Sequence, residues 1–330
     1  MLYAVESGGG GFLIRVLLTG SSGWLGRFLA PALRAAGHTV TGLDAVPGPE
    51  THVVGSIASR AVVDRAMGLG IDAVVHAAAL HKPDIARYPA QTFVDVNVTG
   101  TLNLLEAARA AGHDRFVMTS TTSLMISEAI RREESNEAVW LDERTGPLAP
   151  RNIYGVTKLA AEGLCRLYAA DHALACVVLR TSRFFPEDDD THERPSGENL
   201  KSIELLHRRL TVEDAAGAHV MALEKAHEVG FGLYLVSAPP PFARGDSAAL
   251  KQDAAALIRE QFPDAEALFA ARGWQLPQSL GRVYDPSLAE AELGFRARTD
   301  FAAVLQALRK GAPLPFAHDP GYTSPLATGR

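Results

Sequence analysis

A glycine-rich turn near the start of the sequence constrains the fold more than any other feature. The turn, Gly20 to Gly26, follows a short apolar run from Leu13 to Thr19. After it, residues 24–36 place apolar side chains at helical spacing, and Gly37 closes the pattern. Strand, glycine turn and helix in this order form the opening unit of a parallel α/β fold.

The first 180 residues continue as an alternation of apolar runs of strand length and helix-like segments. The predicted strands are 38–44, 73–76, 116–119 and 177–180, and the predicted helices include 90–110 and 154–170. Such an alternation requires a parallel sheet with helices on both faces. The sequence therefore predicts an α/β, doubly wound parallel-sheet Rossmann fold with a smaller C-terminal substrate-binding region.

The pattern weakens after Arg180, where an acidic, proline-bearing stretch from Pro186 to Pro195 predicts a surface loop. We divide the chain into a flexible leader at 1–11, an NAD-binding Rossmann domain at 12–180 and a substrate-binding region at 181–330. The predicted helix at 212–226 and strand at 233–236 lie beyond this boundary. We expect part of the second region to return to the main sheet.

The glycine turn predicts a dinucleotide site. Gly20, Gly23 and Gly26 permit a sharp turn, close approach of a pyrophosphate and tight packing of the helix on the strand. The helix then offers free N–H groups and a favourable dipole to phosphate. Asp44 ends the second strand, where a carboxylate accepts hydrogen bonds from a ribose diol and repels the extra phosphate of NADP. The alternative for Asp44 is a solvated acid in a turn.

Tyr154 and Lys158 form the second informative pair. Their i, i+4 spacing puts both side chains on one face of a helix, where an ammonium can lower the pKa of a phenol. The phenol then becomes a usable proton acceptor near neutral pH. Together with the glycine turn, the pair predicts a nicotinamide oxidoreductase.

Composition excludes several other classes of function. A net charge of -6 and a pI near 6.0 argue against a nucleic-acid partner. The sequence has neither an apolar run of about 20 residues nor a signal-like start, so we expect a cytoplasmic protein with no membrane partner. Cys165 and Cys176 lack metal-ligand spacing, which predicts two buried free thiols and no metal.

With these residues assembled, the chain resembles the extended short-chain dehydrogenase/reductase family, and most closely its NAD-dependent epimerase/dehydratase branch. The resemblance runs from about Val16 to Leu308. Its anchors are Gly20-x-x-Gly23-x-x-Gly26, Asp44, His76-Ala77-Ala78-Ala79, Asn97, Thr119-Ser120-Thr121, Tyr154-x-x-x-Lys158, Val212-Glu213-Asp214 and Asp285 through Leu293-Gly294-Phe295.

The resemblance implies roles for these positions. Thr121 matches the hydroxyl that holds the reacting substrate oxygen, although the other hydroxyls at 119–123 compete for that role. Tyr154 matches the proton-transfer residue, and Lys158 the residue that lowers its pKa and holds the nicotinamide ribose. The implied NAD contacts are Gly20, Ser22, Gly23, Trp24, Leu25, Gly26, Asp44, Ser56, Ile57, Ala77, Ala78, Ala79, Asn97, Thr119, Tyr154 and Lys158. The resemblance also implies a homodimer through the helices at 90–110 and 154–170.

Departures from the family pattern narrow the reaction. Thr122 and Ser123 stand where dehydratases of the family have an acid pair and decarboxylating relatives a glutamate, which argues against elimination and decarboxylation. Only about 25 residues separate Phe185 from Val212, which favours a small substrate. Arg183 replaces a usual asparagine, and suits either an anionic substrate group or a salt bridge to the acids at 187–190.

We predict substrate contacts at His81, Thr122, Ser123, Arg183 and Phe184. Two other groups are interpreted as structural. Arg208 and Arg209 are expected on a solvated cationic face, and His219 as a packed histidine on an apolar helix face.

Three functions follow. The first is an NAD-dependent epimerase or oxidoreductase acting at a secondary alcohol of a sugar or nucleotide sugar. The second is an NAD-dependent dehydrogenase of a smaller sugar acid or hydroxy acid. The third is a dinucleotide-sensing protein without catalysis, although such proteins commonly lose the tyrosine or the lysine, and this chain keeps both.

Overall fold

The computed structural model describes residues 13–188, 195 and 197–328. The leader predicted at 1–11 and part of the acidic loop at 186–195 lie outside the described residues. Nine strands are described in this part of the chain: β1 Arg15–Thr19, β2 Thr39–Asp44, β3 Val53–Val54, β4 Ala73–His76, β5 Arg115–Thr121, β6 Val139–Leu141, β7 Ala175–Thr181, β8 Phe231–Val236 and β9 Arg282–Tyr284.

The α-helices of the described chain alternate with these strands. They are α1 Trp24–Ala35, α2 Arg60–Met67, α3 Ala90–Phe93, α4 Gly100–Ala110, α5 Glu128–Arg131, α6 Ile153–His172, α7 Gly197–Glu204, α8 Val212–Val229, α9 Ser247–Gln261, α10 Ala265–Ala270, α11 Phe301–Lys310 and α12 Pro325–Thr328. Short π-helical segments at Val94–Thr99 and Ala289–Leu293, and 3-10 turns at Lys82–Ala86, Thr122–Met125 and Arg244–Asp246, join some of them.

Seven strands form the main sheet in the order β3-β2-β1-β4-β5-β7-β8, and every pair is parallel. β4 and β7 are buried along their whole length, as expected for strands covered on both faces. α1 and α8 cover one face, and α2, α4 and α6 cover the other. The predicted doubly wound α/β fold is therefore confirmed.

The strand order reverses between β1 and β4, which lie side by side although two strands separate them in sequence. In doubly wound folds, ligands bind beyond the carboxyl ends of the strands at this switch point. β1 ends at the glycine turn, and β4 ends at His76. The fold thus brings the glycine turn and residues 77–81 to one edge.

The later part of the chain contributes both to the main sheet and to a separate core. β8 and α8 complete the main sheet and its cover, while α9, α10 and α11 enclose a second core with Ala138 and Val283. A parallel pair of short strands, β6 with β9, runs along that core. The division at residue 180 stays a prediction. Within the described residues, no helix is both long and apolar enough to cross a bilayer.

Candidate active site

The glycine turn is built so tightly that side chains do not fit. Gly20 has a φ of +77°, and a Cβ on it would lie 2.7 Å from the backbone nitrogen of Ala78. A Cβ on Gly26 would lie 2.2 Å from the carbonyl oxygen of Gly20. Both distances are far below a normal contact, so glycine is required for the strand, turn and helix to pack together.

Asp44 holds the turn from the end of β2. Its Oδ2 accepts a hydrogen bond from the backbone N–H of Ser22 at 2.9 Å, and its Oδ1 accepts one from Val46 at 3.0 Å. Partial burial raises the pKa of the carboxyl, while these N–H groups act in the opposite direction. The carboxylate also borders a cavity. Each of its two oxygens has a further lone pair that can accept a hydrogen bond from a ribose diol in that cavity.

The cavity beside the turn has a volume of about 240 Å³. Half of the predicted NAD contacts line it: Gly20, Gly23, Asp44, Ser56, Ile57, Ala77, Ala78 and Ala79. Ser22, Trp24, Leu25 and Gly26 belong to the adjoining turn and the first turn of α1. A cradle that a Cβ would fill, a helix N-terminus and a carboxylate together fit NAD.

A buried network that sequence reasoning missed fixes the loop after β4. The ring of His76 lies 2.8 Å by Nδ1 from the hydroxyl of Thr19 and 3.0 Å by Nε2 from that of Thr101. The same Thr19 hydroxyl accepts the N–H of Ala78 at 3.2 Å. Burial lowers the pKa of His76, so the ring stays neutral and the loop keeps one arrangement.

Asn97 links the next part of that loop, at Leu80, to Thr157 of α6 by hydrogen bonds. Its Oδ1 accepts from the N–H of Leu80 at 2.8 Å, and its Nδ2 donates to the Leu80 carbonyl and to the Thr157 hydroxyl, each at 3.1 Å. Asn97 thus acts on the shape of the cavity wall. Its predicted direct contact with NAD stays a prediction.

Tyr154 and Thr121 lie close together at the far end of the groove, by which we mean the carboxyl edge of the main sheet from the glycine turn to Tyr154. The Thr121 hydroxyl lies beside the Tyr154 phenol and accepts the N–H of Ser123 at 3.0 Å. Lys158 lies one helical turn further along α6, and its side chain is buried. The structure therefore brings together the three residues predicted to be catalytic.

The sequence predicts a lowered pKa for Tyr154, and this prediction is wrong for the arrangement seen here. Burial raises the pKa of the phenol to about 12, and the neighbouring Thr121 hydroxyl offsets only part of this rise. The phenol packs in an apolar cluster with Leu80 and Phe93, which excludes water from a phenolate. Burial likewise lowers the pKa of Lys158 to about 8.

Hydroxyls on either side of Thr121 have structural partners. Thr122 Oγ1 donates to the carbonyl of Thr181, and Thr119 Oγ1 lies 2.7 Å from Nε2 of His219. Because Nδ1 of His219 faces the Ala215 carbonyl at 2.7 Å, it carries the proton and Nε2 accepts from Thr119. The prediction that His219 is a packed histidine is confirmed, since the ring is fully buried.

The predicted substrate residues separate into two groups. His81 borders the cavity, with its ring 5.9 Å from that of Tyr154 and 5.4 Å from that of Phe185. Phe184 instead packs in the core under the sheet. Phe185, which sequence reasoning did not select, is the phenylalanine that faces the tyrosine end. Its position just after a predicted contact was the available signal.

Arg183 takes the salt-bridge alternative. Its Nη2 lies 3.8 Å from a carboxylate oxygen of Glu187 and donates to the carbonyl of Asp188 at 3.1 Å. A substrate contact for this guanidinium stays a prediction.

The expectation of a solvated cationic face at 208–209 is wrong. Arg209 is buried, donates to Glu204 at 2.8 Å and donates to the carbonyl of Phe185 at 2.6 Å. Arg208 lies 3.2 Å from the same carboxylate. Residues 205–207 are buried as well, so the two arginines enter the interior with their counterion rather than lie on a surface.

A second buried ion pair lies behind Lys158. Glu162, one turn after Lys158 on α6, accepts from Arg180 of β7 at 2.7 and 3.0 Å and from the Ser120 hydroxyl at 2.6 Å. Both charged side chains are about 5% exposed or less. The network fixes α6 against β5 and β7. The i, i+4 spacing of Glu162 from Lys158 was its only signal in the sequence. Both cysteines are buried and free, as predicted.

Fold and site together define a dinucleotide-binding α/β protein with a tyrosine–lysine pair at one end of its groove. Residues 16–234 match the NAD dependent epimerase/dehydratase family. The match covers well over half of the chain, which therefore belongs to this family. The cavity at the glycine turn is the predicted NAD site.

Known relatives of the chain act on different substrates. A 3-beta-hydroxysteroid dehydrogenase from Mycolicibacterium neoaurum is 31% identical over 198 residues, which are 56% of this chain and 52% of that protein. An L-arabinose 1-dehydrogenase (NAD(P)(+)) from Haloferax volcanii is 33% identical over 54% of this chain and 70% of its own. A UDP-glucose 4-epimerase from Azospirillum brasilense is 32% identical over 50% of this chain and 48% of its own. The chain thus spans about half the length of the first and third of these curated relatives.

Solved structures match over a greater length. A short-chain dehydrogenase/reductase superfamily protein from Agrobacterium tumefaciens with bound NAD has a TM-score of 0.64 and 25% identity, covering 90% of this chain and 97% of its own. A UDP-glucose 4-epimerase from Thermus thermophilus in complex with NAD has a TM-score of 0.60 and 23% identity, covering 90% and 99%. The latter likeness concerns the fold alone.

Proposed function

We propose that this protein is an NAD-dependent epimerase or dehydrogenase that acts at a secondary alcohol of a sugar or nucleotide sugar. The observation that carries the proposal is the placement of the Thr121 hydroxyl beside the Tyr154 phenol, with Lys158 one turn away and the predicted NAD cavity nearby. Sugar-active epimerases and dehydrogenases among the relatives support the substrate class.

Each of the three residues has a distinct task in the proposed reaction. When bound, NAD takes up or returns the hydride at the substrate carbon. Thr121 positions the substrate oxygen by hydrogen bonding, and Tyr154 moves the proton at that oxygen. Lys158 supplies positive charge that favours the phenolate, and Glu162 behind it keeps that charge favourable within a buried site.

Replacing Tyr154 with phenylalanine tests the proposal. Removing the proton-transfer group should lower turnover about 10²- to 10⁴-fold while NAD binding stays unchanged. Tyr168→Phe is a matched control, because Tyr168 is a buried tyrosine on the same helix, more than three turns away. Turnover is followed with a panel of sugars and nucleotide sugars. Full activity of Tyr154→Phe would contradict catalysis by Tyr154 and favour the dinucleotide-sensing alternative.

A second candidate is a dehydrogenase of a smaller sugar acid or hydroxy acid. It is favoured by the short connection between β7 and α8, which leaves little chain to enclose a nucleotide. NAD released from denatured, purified protein and quantified by mass spectrometry separates the candidates. Near-stoichiometric NAD is expected of an epimerase that regenerates its cofactor, whereas an empty protein that binds added NAD is expected of a dehydrogenase.

We infer a homodimer through the helices of 90–110 and 153–172. Val94, Val156 and Leu167 support it, because these large apolar side chains on the two segments are 36%, 49% and 50% exposed. Replacing Leu167 with arginine should convert a dimer into a monomer in sedimentation velocity, and a wild-type monomer would contradict the dimer. The cytoplasmic location, the small-molecule substrate and the exclusion of nucleic acid stay predictions.

A further inference from the structure

Residues 318–326, which we call the strap, cross the carboxyl edge of the main sheet. Two contacts hold the first part of the strap near Pro186. Nδ1 of His318 lies 2.9 Å from the Lys201 ammonium, and the N–H of Asp319 donates to the Pro186 carbonyl at 2.9 Å. It then passes the start of α1 and ends against the NAD cavity. A segment from the far end of the sequence thus lies along the whole groove.

Tyr322 lies at the start of α1. Its phenol stands beside the backbone N–H of Trp24, and the two rings meet edge to face at 5.1 Å. Trp24 is the first residue of α1, where N–H groups lack helical partners and a phosphate would bind. One N–H cannot fully serve the phenol and a pyrophosphate oxygen at once. The phenol therefore stands where a phosphate oxygen would accept.

The next part of the strap narrows the cavity itself. Ser324, Pro325 and Leu326 line the same space as Asp44 and the 77–79 loop. That space has about 240 Å³, whereas pockets for drug-sized ligands have roughly 300–1,000 Å³. A dinucleotide is larger than such ligands. Residues 324–326 thus take up part of the space at the predicted NAD cavity.

Leu326 extends the same contact to the tyrosine end. It packs against the apolar cluster of Leu80, Phe93 and Tyr154. The strap therefore covers the phosphate end and the tyrosine end in one arrangement. A single displacement uncovers both.

From these contacts we propose that the strap is an intramolecular competitor of NAD, and that Tyr322 and Leu326 set the affinity of the dinucleotide site. NAD binding displaces residues 322–326 from the groove. The free energy of their contacts opposes binding, so weakening those contacts tightens it. This inference depends on the NAD site and not on which alcohol the protein oxidises.

Calorimetric titration of NAD into full-length protein freed of nucleotide tests the competition. Tyr322→Phe keeps the ring but removes the oxygen beside the Trp24 N–H, and should lower the Kd for NAD about two- to tenfold. The double variant Tyr322→Phe/Leu326→Ala should lower it further. Thr323→Ala, an exposed neighbour in the strap, is the control and should leave Kd unchanged. A Kd that is unchanged or higher in both Tyr322 variants overturns the proposal.

Hydrogen exchange of the wild-type protein supplies a readout that does not depend on a variant. Adding NAD should speed exchange of the amides at 322–326, because the strap leaves the groove. Slower exchange there would mean that the strap closes over bound NAD, which overturns competition. Neither measurement requires turnover. A failed Tyr154 assignment would therefore leave this result standing, and the reverse also holds.

Discussion

The two ends of the groove are built in different ways. At the glycine end, a turn of seven residues and one carboxylate from the next strand define the geometry, and backbone contacts leave no room for a Cβ. At the tyrosine end, β5, α6, β7 and the strap all contribute, and buried charges hold them together. The glycine end is thus specified by local sequence, whereas the tyrosine end depends on residues brought together from the whole chain.

The largest expected effect tests the tyrosine end through its buried ion pair. Arg180→Met leaves the Glu162 carboxylate buried without its counterion, and should cost about 3–5 kcal/mol of unfolding free energy. Denaturant unfolding measures this loss. The double variant Arg180→Met/Glu162→Gln should recover much of it, because no uncompensated charge remains. Equal losses in the single and double variants would show that packing, and not charge, holds α6 in place.

Gly26→Ala tests the glycine end. Because the added Cβ would lie 2.2 Å from a backbone carbonyl that cannot move freely, the substitution should cost about 3 kcal/mol, the upper part of the usual range for overpacking. It should also weaken NAD binding, since the start of α1 shifts. Thermal unfolding and NAD titration give the two readouts.

Gly163 supplies the matched control for that substitution. It is an exposed glycine within α6, and a Cβ there would meet nothing within 4 Å. Gly163→Ala should stabilise the protein by about 0.5–1 kcal/mol through helix propensity. If Gly26→Ala were as harmless as Gly163→Ala, the glycine end would not be sterically determined.

An effect smaller than that of Gly26→Ala concerns pH at the tyrosine end. Burial lowers the pKa of His219, which holds Thr119, to about 4 from an ordinary value of 6.5. The folded state thus favours the neutral ring. The resulting stability is fully present above pH 6.5 and is lost as pH falls toward 4, amounting to about 2 kcal/mol between pH 7.5 and pH 5.

The check is denaturant unfolding of wild type and His219→Asn at both values of pH. Asparagine retains a donor toward the Ala215 carbonyl but has no titrating ring. The stability difference between the two proteins should shrink by about 2 kcal/mol at the lower pH. A constant difference would mean that the His219 ring is already charged or hydrated in the folded state.

The same contrast explains which features the sequence predicts. The β1, turn and α1 unit, the acid at Asp44 and the buried strands follow from local patterns, and their predicted bounds lie within about two residues of those in the structure. The Tyr154 and Lys158 pair was also readable, because i, i+4 spacing fixes a shared helix face.

Features that depend on contacts between residues far apart in the chain could not be predicted from the sequence. The elevated pKa of Tyr154 arises from Leu80, Phe93 and other cluster residues far apart in sequence. Arginine usually lies on the protein surface, and the burial of Arg209 depends on its pairing with Glu204. Nothing in the polar residues at 318–326 indicates that they return to the groove. Burial and pairing are properties of the assembled fold, and local periodicity does not carry them.

The pairing of β6 with β9 has a consequence for synthesis of the protein. Val139–Leu141 pairs with Arg282–Tyr284, and no closer strand replaces that partner within the described residues. At a ribosomal rate of about 5–20 residues per second, the roughly 140 residues between them take on the order of 10 s to emerge. Throughout that interval, β6 on the nascent chain cannot pair with β9, which has not yet been synthesised. We therefore expect slowed translation between these strands to raise the demand for chaperones.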